Sequence, residues 1–344
     1  MKRFAVTKHK HNDGDDDDEK QRYTNLVSET LFRTGDIVAH ILAYASPDHA
    51  LTAKIGLFRR LNRMLYRFTT DFIRVSDDIR ITDACVRTLP HLKELRLSDW
   101  KLTQAVIRSQ TNLEKLIIFC NYPRQLPYYD ERELFRPLSA NLHTLELDGA
   151  YNGIHSIGFD CLTALRHLVL RNYTVVNDSL LRLQTRLTAL TLHGHHREIA
   201  DRGITPLTNL TSLRLDGYTG LTNDTLWPLT RLTTLEITNE PARFSPINND
   251  GISRLTSLTS LNLENNACVT GAALSHLTNL TSLNLAHTGA AFTTDDVADL
   301  TQLVTLNVHR CTHIHHAALI ILLPRLRFLY DSDIDMQQTC RTLY

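Results

Sequence analysis

The sequence has no surplus charge. Its 344 residues carry 37 basic and 37 acidic groups, so it lacks the positive footprint that a general nucleic-acid binder turns toward phosphate. It also lacks a long hydrophobic run. The longest, Ala317 to Leu323, falls far short of the ~20 residues that span a bilayer. The first twenty residues, MKRFAVTKHKHNDGDDDDEK, contain no apolar stretch that could act as a secretory signal. The six cysteines (Cys85, Cys120, Cys161, Cys268, Cys311 and Cys340) stand far apart, with no Cys-x-x-Cys pair. Scattered thiols without a signal point to a reducing, intracellular setting, cytoplasm or nucleus. No nucleotide-binding loop, zinc motif or nucleophile elbow is present, so no cofactor and no enzymatic activity are expected.

What the chain does have is leucine, 57 of 344 residues, with 49 of them between positions 81 and 331. Such a skew calls for a search for repeats. The clearest copies are LTNLTSLRL from Leu207, LTSLTSLNL from Leu255 and LTNLTSLNL from Leu277. Each contains leucine at positions 1, 4 and 6 of a short segment. The first leucines of that segment are Leu92, Leu113, Leu142, Leu165, Leu187, Leu210, Leu232, Leu258, Leu280, Leu303 and Leu326. Successive spacings are 21, 29, 23, 22, 23, 22, 26, 22, 23 and 23, which places eleven copies in one period. Five Asn-x-Ser/Thr sequons, at Asn172, Asn177, Asn209, Asn223 and Asn279, lie within this pattern, and phrases such as NLTSL are products of the repeat.

The second half of each unit is patterned too. IADRGITPL (199–207), LTNDTLWPL (221–229), INNDGISRL (247–255), VTGAALSHL (269–277) and FTTDDVADL (292–300) are apolar at positions 1, 6 and 9. The Thr, Asn or Asp near the start can accept hydrogen bonds from the backbone of a short helical turn. Leucines at 4 and 6 point to one face of a strand, and residues 5 and 7 to the other. One unit cannot bury its leucines alone, but a parallel stack can. At ~4.8 Å per strand, eleven copies make a sheet roughly 50 Å along its arc. Helices need more width than strands, so the sheet is expected on the concave side.

Residues 81–331 resemble the leucine-rich repeat proteins, and the halves ending in Leu are most similar to the cysteine-containing subtype. The resemblance implies an α/β fold: a curved parallel inner sheet of about eleven repeats, with short helices or turns outside. Its buried position 9 holds the expected Asn or Cys at Asn121, Asn266 and Cys311, and Ala150, Tyr173, His195, Tyr218 or Thr288 elsewhere. These departures are expected to weaken the buried polar ladder.

Residues 1–22 mix six acids, including Asp15 to Asp18, with six bases, and read as a solvated, disordered tail. Residues 23–78 are apolar with helical periodicity and read as a small all-α module. Residues 79–334 form the repeat domain, and 335–344 a C-terminal tail or cap. In the module, Ile37, Ile41, Leu42 and Ala45 share one helical stripe, Ser46-Pro47 breaks it, and Leu51, Ile55, Phe58, Leu61, Leu65 and Phe68 form another. Short helices joined by Ser-Pro-Asp ahead of leucine-rich repeats are similar to an F-box. That resemblance implies docking on the adaptor of a cullin-RING ubiquitin ligase through Ile37, Ile41, Leu42, Ser46, Pro47 and Leu51. Two other readings stay open: the helices cap the apolar end of the stack, or their basic side (Lys54, Arg59, Arg60, Arg63, Arg67) meets an acidic surface.

HRCTHIHH offers His309, Cys311, His313, His315 and His316, but in the repeat these side chains diverge, and no metal site is expected. The informative positions are those the repeat leaves free on the concave sheet: Arg96, Ile117, Phe119, Glu146, Arg171, Arg214, Glu236 and Tyr330. Two length breaks add NYPRQLPYYDERELFRP (121–137), with Tyr122, Tyr128, Tyr129 and Phe135, and NEPARFSPINND (239–250), with Phe244. Insertions on a solenoid often bind, and tyrosine with arginine is typical of interface hot spots. Ile117 and Phe119 are expected to be exposed beside the first insertion. The mixed charge of this surface suits a protein partner and neither nucleic acid nor membrane. The expected function is a substrate receptor linking a target on the repeat face to a ubiquitin ligase; a free-standing binding scaffold is the alternative.

Overall fold

The structure, a computed structural model, describes residues 72–74, 83–87, 92–98, 103–119, 131–148, 156–171, 177–194, 199–217, 220–238 and 246–330. The chain divides into two compact units, residues 1–70 with 76–80 and residues 71–75 with 81–344, and the described residues all belong to the second. The strands are β1 (Phe72–Arg74), β2 (Glu94–Ser98), β3 (Lys115–Phe119), β4 (Thr144–Asp148), β5 (His167–Arg171), β6 (Ala189–His193), β7 (Ser212–Asp216), β8 (Thr234–Thr238), β9 (Ser260–Asn262), β10 (Ser282–Asn284), β11 (Gly289–Thr293), β12 (Thr305–Asn307), β13 (Cys311–His313) and β14 (Phe328–Tyr330). Twelve of them pair in parallel, in chain order, as a single sheet, and β11 with β13 form a second. Eleven strands of the large sheet follow the eleven leucine copies. The twelfth, β1, carries no leucine, and pairs Phe72 with Glu94 at the N-terminal edge.

Leucines at positions 1, 4 and 6 turn to one side and are dry. Leu210, Leu213 and Leu215 are at most 1% exposed. Positions 1, 6 and 9 of the second half meet them from the opposite layer, as with Ile199, Ile204 and Leu207, also at most 1% exposed. Truncating one such leucine to alanine costs about 2–5 kcal/mol, because the neighbours close the gap only partly. The 29-residue unit buries an aromatic of its longer second half. Phe135, grouped with the insertion's tyrosines in the sequence, ends the helix Glu131–Phe135 and is fully buried. Its ring lies 5.8 Å from that of Phe159, tilted 58°. Phe135 is therefore core, held there by the helical half of its own repeat.

The polar residues of the repeat phrase bind repeats to one another. Thr211 N–H, Ser212 N–H and the Thr211 hydroxyl all donate to the Thr188 carbonyl, at 2.8, 3.0 and 3.1 Å. The same threonine step recurs at Thr233, Thr259 and Thr281. The Asn209 and Asn279 amides each donate 3.0 Å to a carbonyl one repeat back, at Thr185 and Thr256. LTNLTSL is thus a phrase of inter-repeat donors, which is why sequons recur in it.

A second ladder runs along the helical side. Each short helix leaves backbone N–H groups free at its start, and the preceding repeat supplies the acceptor. Asp178 accepts from Ala200 N–H at 2.7 Å, Asp201 from Thr222 N–H at 2.7 Å, Asn223 from Asn248 N–H at 3.0 Å and Asn249 from Thr270 N–H at 2.8 Å. The acceptor needs room in the next repeat. A Cβ at Gly203 would lie 2.5 Å from Asp178 Oδ1, and one at Gly251 the same distance from Asn223 Oδ1. Thr225 stands at the equivalent place and donates its hydroxyl to Asp201. Gly271 breaks the pattern, since it has no side chain to offer. The next repeat then satisfies its own start, with Asp296 accepting from Thr293 N–H at 2.7 Å. That carboxylate occupies the space where a Gly271 Cβ would sit.

The strands end on a left-handed residue seven positions after the first leucine. Gly194 and Gly217 take φ of 96° and 97°, and Asn265, His287 and Arg310 take 58°, 61° and 59°. From β9 onward the strands shorten, because Asn262, Asn284 and Asn307 each accept from the N–H two residues on, at 3.0 to 3.1 Å. The next position was expected to keep its polar ladder at Asn266 and Cys311 and to weaken it at departures such as Thr288. All three are buried. The Thr288 hydroxyl and the Cys311 thiol both donate to the Leu285 carbonyl, at 2.6 and 3.0 Å, so threonine serves in the place of asparagine or cysteine.

Burial raises the Asp201 pKa, but the hydrogen bonds from Thr222 and Thr225 outweigh it, and the net pKa is lowered. A lowered folded pKa contributes stability above the unfolded value, lost as pH falls through the folded one. Asp201→Ala strands a backbone N–H and two hydroxyls and should cost about 1–3 kcal/mol by urea titration at pH 7; the variant should also lose part of the acid-induced destabilisation expected below about pH 4. Arg310 is exposed and holds a left-handed conformation disfavoured by about 1–2 kcal/mol in side-chain-bearing residues. Arg310→Gly should therefore raise stability by roughly 1 kcal/mol, and an unchanged or lower denaturation midpoint would contradict it.

Candidate functional site

The sheet face turned away from the leucines carries the side chains the repeat does not consume. Strict register sets them in rows across the strands. One row runs Arg96, Ile117, Glu146, Val169, Thr191, Arg214, Glu236. Another runs Phe119, Asp148, Arg171, His193, Asp216, Thr238. Neighbours within a row stand one strand spacing apart, ~4.8 Å, close enough for opposite charges to meet.

They do meet. Lys115 Nζ lies 3.3 Å from Glu94 Oε1 and 3.7 Å from Glu146 Oε1. Arg214 grips Glu236 with two nitrogens, at 2.5 and 2.7 Å. His193 Nε2 is 3.1 Å from Asp216 Oδ2, whose other oxygen accepts from the Thr238 hydroxyl at 2.8 Å. The Arg96 guanidinium lies 5.2 Å from the centroid of the Phe119 ring. Half-exposed pairs of this kind contribute roughly 0–1 kcal/mol each to folding. Their main effect is to hold long side chains in one geometry, which lowers the entropy lost when a partner docks.

The expected site residues fare unequally. Arg96, Phe119, Glu146, Arg171, Arg214 and Glu236 all share this face, and Tyr330 lies 40% exposed at its far end. Ile117 departs from expectation: it is only 1% exposed. It does not belong to the leucine core, yet it sits between Arg96 and Glu146 in register. Longer side chains flank this β-branched residue, Arg96 and Glu146 in register on the two adjoining strands and Lys115 and Phe119 along its own. Tyr122, Tyr128, Tyr129 and Phe244 lie outside the described residues, as do Ile37, Ile41, Leu42, Ser46, Pro47 and Leu51.

The histidine-rich turn spreads apart. Cys311 is buried, His313 and His315 are exposed, and the His309 ring meets that of His287 edge-on at 5.1 Å. Among the described residues, no three His, Cys, Asp or Glu side chains converge as a metal site would require. None of the described helices is long and apolar enough to cross a membrane. Burial first, and Asp160 second, push the Cys161 thiol upward, away from the thiolate that nucleophilic chemistry needs.

The sequence reading missed one exposed aromatic. Trp227 is 42% exposed on the helical side, with the Arg254 guanidinium 4.9 Å from its ring centroid. A signal was present: the equivalent places in neighbouring units hold Thr205, Ser253, Ser275 and Ala298, so tryptophan stands out as soon as the units are aligned.

No protein-family model matches the chain, and no curated protein matches it by sequence. Solved structures do match it in shape. An internalin from Listeria monocytogenes is 20% identical, covers 79% of this chain and 79% of its own, and gives a TM-score of 0.50. The mouse RP105/MD-1 complex is 14% identical over 73% of this chain and 57% of that one, at 0.51. The Toll–Spatzle complex of Drosophila is 18% identical over 80% of this chain and 38% of that one, at 0.52. Likeness at this level concerns architecture, and the architecture is the leucine-rich repeat solenoid.

Proposed function

We propose that the chain is a non-enzymatic scaffold that binds a protein partner on the far face of its sheet. The observation that carries this reading is the immobilised mixed-charge surface: Lys115 between Glu94 and Glu146, and Arg214 clasped by Glu236. Carboxylates interleaved with cations oppose a phosphate backbone, whereas a protein surface can supply both signs. The RP105/MD-1 and Toll–Spatzle neighbours are named as complexes, which agrees with binding as the use of this architecture.

In its finer form, the proposal makes the chain a substrate receptor. Residues 31–68, through Ile37, Ile41, Leu42, Ser46, Pro47 and Leu51, would dock a cullin-RING ligase adaptor, and the sheet face would hold the target. Acceleration would come from proximity alone, because the receptor raises target concentration at a ligase that does the chemistry.

The two halves of the proposal separate experimentally. Full-length protein with Ile37→Glu and Leu42→Glu should lose capture of the purified adaptor and keep its melting temperature. No capture by the unaltered protein would refute the receptor role and leave the scaffold role standing. Arg214→Glu reverses one charge of the clasped pair and should reduce retention of target proteins from a cell extract at least about tenfold, with under about 1 kcal/mol lost in stability. Undiminished retention by this variant would place the binding surface elsewhere.

A further inference from the structure

The balanced charge of the chain is not spread evenly over the stack. Six turns, residues 162–166, 182–188, 205–211, 227–233, 253–259 and 274–281, lead from a short helix into β5 through β10. They carry Arg166, Arg182, Arg186, Arg231, Arg254 and His276 and contain no Asp or Glu. The helices before β6, β7, β8 and β9 place their carboxylates at the opposite end, as Asp178, Asp201, Asp224 and Asp250. All five arginines of the turns are exposed. Among the described residues, none of them pairs with a carboxylate. A cation at a helix C-terminus is favourable in itself, which suits Arg182 and Arg254. Arg166, Arg186 and Arg231 lie beyond the helices, beside the strand entrances, where that attraction has faded.

Apolar groups are exposed on the same edge. Leu183, Pro206 and Pro228 hold one place in three successive turns. Leu183 is 54% exposed, and Trp227, beside Pro228, is 42% exposed. The Arg254 guanidinium lies against the Trp227 ring, and Arg231 donates 3.0 Å to Asn209 Oδ1. The apolar strip therefore has Arg182 and Arg186 at one end and Arg231 and Arg254 at the other. Tryptophan beside arginine is the composition of an interface hot spot. About one arginine per repeat is sparse against duplex DNA, which carries a charge every ~1.7 Å, and phosphodiesters gain little from Leu183 or Pro206. A peptide can use both the cations and the apolar strip. The two ends of the strip stand three repeats apart, ~14 Å at ~4.8 Å per strand, which about four extended residues span. We infer that this edge is a second docking surface, separate from the sheet face, for an acidic protein segment whose carboxylates flank about four apolar residues.

The full chain is titrated into a fluorescein-labelled peptide, Asp-Glu-Leu-Phe-Leu-Leu-Glu-Asp, and binding is read by fluorescence anisotropy. The expected result is saturable binding that weakens as salt rises. Arg186→Glu and Arg231→Glu should each weaken it at least about tenfold. A peptide with serine in place of the apolar centre should also bind at least about tenfold more weakly. No saturable binding, equal binding of the serine peptide, or indifference to both reversals would overturn the inference. An oligothymidylate that binds as tightly as the peptide would overturn it too, by assigning the edge to nucleic acid. Circular dichroism and melting curves check folding. Should a reversal lower the melting temperature, Arg186→Gln removes the charge alone, and undiminished binding by that variant overturns the docking surface equally.

Discussion

The stack depends on a single kind of gift between neighbours: an acceptor in one repeat for the orphan N–H that opens the helix of the next. Helices of four or five residues have almost no internal hydrogen bonding to hold them. Their geometry comes from packed apolar positions and from the acceptor behind. Asp178, Asp201, Asn223 and Asn249 supply it, and the threonines at the strand entrances do the equivalent work on the other layer. Where both layers are tied, adjacent strands stay in strict register, and the rows of the far face follow without further instruction.

That regularity gives the face its chemistry. A side chain at position 5 of one strand has its neighbours chosen by whatever occupies position 5 in the repeats on either side. Arg214 and Glu236 meet because they are 22 residues apart in chains of equal phase. Lys115 meets Glu94 in the same way, and longer side chains also reach diagonally, Arg96 to Phe119 and Lys115 to Glu146. The scaffold itself gains little from such exposed pairs, so their value lies in presenting a stiff surface.

The fold was legible because leucine recurs at one phase eleven times, and each recurrence reports the same local environment. β1 was not legible, since Phe-Ile-Arg has no leucine phase and becomes a strand only by pairing with Glu94 to Arg96. The burial of Ile117 was not legible either. Its register neighbours Arg96 and Glu146 belong to the repeats on either side, so no single repeat contains its surroundings. Phe135 looked like part of a binding insertion because the length break drew attention to it, and only its contact with Phe159 reveals a core residue. The Arg214–Glu236 pair lay within reach of the sequence, as aligning the units by their first leucine already puts the two in adjacent strands. Trp227 was equally within reach, although its partner Arg254 belongs to the following repeat.

The glycines on the helical side have an evolutionary consequence. Gly203 is empty space for Asp178, Gly251 for Asn223 and Gly271 for Asp296. The bulk and the vacancy that receives it are encoded in different repeats. A unit copied or moved as a block would carry its acceptor away from its clearance and would meet either a clash or a stranded N–H. Although the repeats look interchangeable by their leucines, they form an ordered series, and this protein can gain or lose units only where both neighbours change together.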